Sequence, residues 1–247
     1  MKKLLVCMSL LLAVLGISGN AFAQEMTAAD IQRWLEPVLG DWYHLDGGLA
    51  MTIGKDRIDG CRILGSTGLG MVEPPTSGTL RVDKDGASRQ IQLEVFGEGV
   101  HQYLRVDGAQ TLRRVPQEVH FESVQGLYLG MTREQLLQAC GNPGSKEAAK
   151  GQVLWQYPAR GLGVLLKGNI VTGLRLYRNG ASRFDRSGLG ADASLADYAQ
   201  AYGLTAVPKE PVSDARFFSH YAIGQDEYLV FKPDCVQLSV YSSWLFD

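Results

Sequence analysis

The chain has 247 residues, 45% of them hydrophobic and 20% charged, with a formal net charge of −2. That balance excludes a disordered chain, which cannot bury enough apolar surface, and a nucleic-acid footprint, which needs a clustered basic face. The length supports a sizeable core and is long for one typical domain, so more than one folded part is expected.

Residues 1–23 read as a secretory leader. Lys2 and Lys3 give a charged start, Leu4 to Ile17 an apolar run, and Ala21-Phe22-Ala23 the small-x-small pattern of a cleavage site. Cleavage after Ala23 is expected, and loss of the two lysines from a chain of net charge −2 takes it to −4. The apolar run is short for a permanent membrane span and no second one follows. The mature chain, starting at Gln24, is therefore expected to work outside the cytoplasm, periplasmic or secreted, with no transmembrane segment. Cys7, preceded by Val6 where the apolar run has barely begun, is a poor lipidation site. Cys61, Cys140 and Cys235 remain after processing, far apart and without CxxC spacing. An odd count permits one disulfide at most, and the pairing stays open.

Thr27-Ala28-Ala29-Asp30 opens the mature chain with a helix-capping pattern, and Ile31, Trp34, Leu35 and Val38 follow at helical spacing up to Gly40. A short amphipathic helix is expected. Then come short alternating runs, Leu49 to Ile53, Thr79 to Val82, Ile91 to Phe96 and Gln102 to Val106. Turn signals separate them: Asp46-Gly47, Gly54-Lys55-Asp56 and Asp83-Lys84-Asp85-Gly86. Residues 24–121 thus read as a helix plus an antiparallel β-meander, barrel-like but short for eight full strands, with a long loop from Gly65 to Gly78. Gly40-Asp41-Trp42 is similar to the Gly-x-Trp start of lipocalin-like barrels. Such a barrel implies an alternative role as a carrier of a small apolar ligand or lipid, in a cavity lined by residues such as Trp42, Leu93 and Tyr103.

From about Gly126 a segment recurs. Gly126-Leu127 is echoed by Gly188-Leu189, Thr132 and Gln135 by Ser194 and Asp197, and Gly141 by Gly203. Tyr157, Leu174 and Tyr177 align with Tyr221, Leu238 and Tyr241 after two extra residues in the second copy. Each copy reads as a capped helix followed by strands, with Leu136, Leu137 and Cys140 buried in one and Leu195, Tyr198 and Tyr202 in the other. The expectation is an α+β fold: the helix and β-meander, then two tandem helix-on-antiparallel-sheet units over 122–180 and, in degenerate form, 181–247.

Leu129-Gly130-Met131-Thr132-Arg133-Glu134-Gln135-Leu136, closed by Gly141-Asn142-Pro143 and followed by Trp155-x-Tyr157, resembles the SmpA/OmlA signature of the BamE-like envelope proteins. Related tandem units form folds of the β-lactamase-inhibitor-protein type. The resemblance covers about fifty residues of the first copy. It implies a secreted module that binds another envelope or secreted protein, with peripheral contact with membrane lipid as a further option.

Searches for chemistry find little. No Gly-x-Ser-x-Gly elbow occurs. Cys140 with His120 or His220 makes a poor thiol dyad, because the carbonyl end of a helix raises a thiol's pKa. His44, His101, His120 and His220 are isolated, Asp83-Lys84-Asp85-Gly86 fails the calcium-loop pattern, and the Gly48 to Lys55 stretch fails the phosphate-loop spacing. Acid pairs assembled from distant residues leave no local trace, so an unrecognised hydrolase stays as a third reading. No catalytic residue, metal ligand or cofactor is assigned, and the chain is read as a non-enzyme. Trp155, Tyr157, Phe217 and Tyr221, on corresponding strands of the two copies, are the expected protein-binding aromatics.

Overall fold

A computed structural model describes residues 27–67, 77–149, 151–206 and 220–242. The leader and Phe217 lie outside the described residues. α1 (Ala28–Leu35) is capped by the Thr27 hydroxyl, which accepts the Asp30 N–H at 3.2 Å. It runs into a 3₁₀ turn at Glu36–Val38 and buries Ile31, Trp34 and Leu35.

Eight antiparallel strands then close into a barrel. They are β1 (Gly40–Tyr43), β2 (Leu49–Ile53), β3 (Arg57–Ile58), β4 (Cys61–Thr67), β5 (Ser77–Lys84), β6 (Ala87–Phe96), β7 (Tyr103–Val106) and β8 (Gln110–Arg113). Closure is through Tyr43 of β1 and Arg113 of β8. The stretch therefore does hold eight strands, because several are only two to five residues long. The expected Gly65 to Gly78 loop is also trimmed by strand at both ends, since β4 runs on to Thr67 and β5 begins at Ser77. Strict alternation decides which side chains enter: Leu80 and Val82 of β5 and Ile91, Leu93 and Val95 of β6 are buried, with charged or polar residues between them. Trp42, fully buried, donates from Nε1 to the Val38 carbonyl at 2.8 Å and so ties the barrel to the 3₁₀ turn that follows α1. Arg114 lies 5.1 Å over the Trp42 ring and donates to the Leu39 carbonyl at 2.6 Å.

Beyond the barrel, β9 (Ser123–Val124) and β10 (Leu127–Tyr128) form a small two-stranded sheet, followed by α2 (Arg133–Cys140). Next come β11 (Ser145–Ala149), β12 (Gln152–Tyr157), β13 (Leu162–Lys167) and β14 (Ile170–Tyr177), then α3 (Leu195–Tyr202). The series ends with β15 (Thr205–Ala206), β16 (His220–Gly224), β17 (Glu227–Phe231) and β18 (Cys235–Ser239). Both helices carry a reciprocal capping box, Thr132 with Gln135 and Ser194 with Asp197.

The α+β class and the two tandem units are overturned. Strands hold 47% and helical turns 17% of the described residues, which makes the protein mainly β. The strands of both copies join one eight-stranded antiparallel sheet in the order β11-β12-β13-β14-β18-β17-β16-β15. The reason is visible in β14 and β18. All five residues of β18 are buried, as are six of the eight in β14, and the one charged side chain on the two strands, Arg175, is half-buried and donates across the seam to Gln237 at 2.7 Å. Leaving either as an edge would expose apolar side chains and unpaired backbone, so they pair with each other. On the helix side, Leu136 and Tyr198 are fully buried, but Leu195, expected in the core, is 46% exposed at the start of α3.

Barrel and sheet also share a core. Phe96 and Tyr103 stack at 5.4 Å and belong to the cluster that includes Trp155, Leu174 and Leu238, so Tyr103 packs on the sheet side. It does not line the barrel interior, as expected of it, whereas Trp42 and Leu93 do belong to the barrel core.

Candidate functional site

Of the expected binding aromatics, Trp155 and Tyr157 are each 5% exposed and belong to the core beneath α2 and α3. The Tyr157 hydroxyl donates to the Gly141 carbonyl at 3.2 Å, fastening the end of α2 to the sheet. Tyr221 is half-buried and packs edge-on against Phe231 at 5.8 Å. The fold does not bring the set together, because β13, β14, β18 and β17 lie between β12 and β16.

Two arrangements absent from the sequence reading stand out. The first is a buried polar junction. His101, at the end of the 3₁₀ turn Gly99–His101, places Nε2 3.4 Å from Glu227 Oε1 on β17, with both side chains at 2% exposure or less. Glu227 accepts the Phe121 N–H at 2.7 Å and the Glu122 N–H at 3.0 Å. Glu122, itself buried, accepts the N–H groups of Ser123 at 2.8 Å and Arg186 at 3.0 Å, and the Tyr202 hydroxyl. Burial, reinforced by the Glu122 carboxylate, pushes the Tyr202 hydroxyl well above its ordinary pKa and keeps it a donor. Burial likewise raises Tyr103, whose hydroxyl lies 3.5 Å from His101 Nδ1.

Glycine makes this crossing compact. Gly130 has φ +91°, and a Cβ there would sit 2.6 Å from the Tyr103 oxygen. Gly130 thus serves the contact with the barrel as well as the turn before α2. Nearby, the Val100 N–H donates to Asp226 at 2.8 Å and Lys167 pairs with Glu94 at 3.2 Å, both across the barrel–sheet boundary. A cavity of about 10 Å³ beside His101 and Tyr103 has room for roughly one water. With His101 only 1% exposed, this constellation is built to hold two parts of the chain together rather than to receive a substrate.

The second arrangement is an open sheet edge. Among the described residues β11 pairs only with β12, on one side, and Ser145, Lys146, Glu147 and Ala148 are exposed. The Lys146 ammonium sits 4.4 Å over the Trp155 ring. Glu147 has no cationic partner among the described residues. Beside it, on the face away from α2, a groove of about 330 Å³ is lined by residues that include Ser145, Glu147, Gln156, Tyr177 and Asn179. Gly163 keeps its floor low, since a Cβ there would come within 2.9 Å of the Tyr177 hydroxyl.

Among the described residues no group of three or more His, Cys, Asp and Glu side chains could hold a metal ion. No helix among them is long and apolar enough to cross a membrane. Cys61, Cys140 and Cys235 are all unbridged. Compared with protein-family models, curated proteins and solved structures, the chain finds no match.

Proposed function

We propose that this chain is an extracytoplasmic protein-binding module of the cell envelope that carries out no reaction of its own. The β11 edge carries this reading: a five-residue strand whose outer side no described strand pairs with, beside a groove of side-chain size. Supporting it are the leader pattern of residues 1–23 and the likeness of Leu129 to Leu136 and of Gly141-Asn142-Pro143 to SmpA/OmlA envelope proteins.

The test is site-specific photo-crosslinking in the producing cell. A photoreactive residue in place of exposed Ala148 should yield a discrete adduct with another envelope protein. The same residue at Leu49, 60% exposed on the barrel, should not. Adducts of equal yield at both positions, or none at 148, would overturn the reading.

A further inference from the structure

Taking the binding-module reading as its basis, we infer that the partner adds a β-strand to β11 and places a Lys or Arg opposite Glu147, its stem in the groove over Tyr177. Three observations define this surface. The outer side of β11 offers a run of main-chain donors and acceptors to an incoming extended chain. Alternation then sorts the incoming side chains. Those on one face meet Lys146, already committed to the Trp155 ring, and those on the other meet Glu147, Gln156 and Tyr177. On that second face the exposed charge is the Glu147 carboxylate, unpaired among the described residues, while the half-buried Arg175 is held by Gln237 at 2.7 Å. An aliphatic stem ending in a cation fits an aromatic ring followed by an acid better than any other side chain does.

A second copy of this chain is a poor occupant. The two-fold register that pairs all five residues of β11 is centred on Glu147 and sets two carboxylates directly opposite each other. Lys146 and Glu147 therefore discourage self-association through this edge while leaving it open to a strand of complementary charge.

The test uses the mature chain from Gln24 and two ten-residue peptides of alternating Thr and Val, one with a central Arg and one with a central Glu. The Arg peptide should slow amide hydrogen exchange within residues 145–149 and bind at least about tenfold more tightly than the Glu peptide. Glu147→Lys should reverse that order while leaving the melting temperature in place, since Glu147 is exposed and has no cationic partner among the described residues. Failure of both peptides to protect β11, or equal affinities insensitive to Glu147→Lys, would overturn the inference. An envelope adduct at position 148 combined with peptide failure removes strand addition and leaves the binding-module reading intact. Arg-peptide protection without any envelope adduct upholds the edge chemistry and overturns only the envelope partner.

Discussion

Leu174 and Leu238 stand directly opposite each other where β14 meets β18, and they are the same two residues that the internal repeat equates. A residue paired with its own repeat equivalent marks an approximate two-fold axis through the middle of the sheet. The strand order around it is symmetric: β11 to β14 on one side, β15 to β18 on the other. The two half-sheets join where β14 pairs with β18, so neither half stands as a separate unit.

Leu174→Ala should accordingly destabilise the whole sheet. Both leucines are fully buried, and truncation leaves a cavity at the seam, costing about 2–5 kcal/mol. Guanidinium unfolding followed by circular dichroism and by tryptophan emission should show one transition shifted to lower denaturant, with both probes coincident. Two separated transitions would mean that the halves fold independently.

The buried junction gives a graded pair of variants. Glu227→Ala removes the acceptor of two backbone N–H groups and the partner of His101, leaving all three buried, and should cost about 3–5 kcal/mol. Glu227→Gln keeps the shape and one acceptor oxygen, so it should cost less. Limited proteolysis should detect both as faster cleavage within residues 114–126, the connection that Glu227 pins. Unchanged cleavage in Glu227→Ala would remove the clasp role.

Local grammar was legible in the sequence. Thr27, Thr132 and Ser194 are helix caps as their spacing indicates, and the alternation of Leu80, Val82, Ile91 and Leu93 places them in the barrel. Long-range pairing was not. No pattern in β14 or β18 says that they pair with each other rather than end separate sheets; a strand buried on both faces names no partner. β11 was missed for the opposite reason. Ser-Lys-Glu-Ala-Ala has no apolar alternation because an exposed edge strand buries neither face. Strand alternation puts Trp155 and Tyr157 on one face, but sequence cannot say that this is the face α2 covers. His101, Glu122 and Glu227 lie far apart in the chain, and only the packing of barrel on sheet gives them a common site.

Thiol chemistry separates the three cysteines. Cys61 and Cys235 are buried, and burial, with Asp234 adding to it, pushes the Cys235 thiol up to about 12. Cys140 is half-buried, and burial raises it as well, despite nearby Arg160. In the native protein produced from Gln24, which lacks Cys7, a disulfide-exchange reagent near neutral pH should reach only Cys140, slowly, and all three thiols after denaturation without reductant. Fewer than three in the denatured chain would reveal a disulfide that this fold does not contain.

Asp185 provides a pH-dependent contribution to stability whose sign is fixed by its contacts. Burial by itself would raise the carboxyl, but the Gly126 N–H, the Ser123 hydroxyl and the Gln125 N–H, at 2.8, 2.7 and 2.8 Å, outweigh it and hold the group below its ordinary value. The folded chain therefore keeps this carboxylate charged at pH values where the unfolded chain, with an aspartate carboxyl at its ordinary value of about 3.9, already binds the proton. The contribution is complete above the unfolded value and is lost as pH falls through the folded one. Because the residue is exposed, its size is modest, about 1 kcal/mol at neutral pH. Asp185→Asn should thus be less stable than the parent at pH 7 by roughly that amount, with the two denaturation midpoints converging as pH is lowered below about 4. A gap that stays constant down to the acid limb would show that the hydrogen bonds to Asp185 do not depend on its charge.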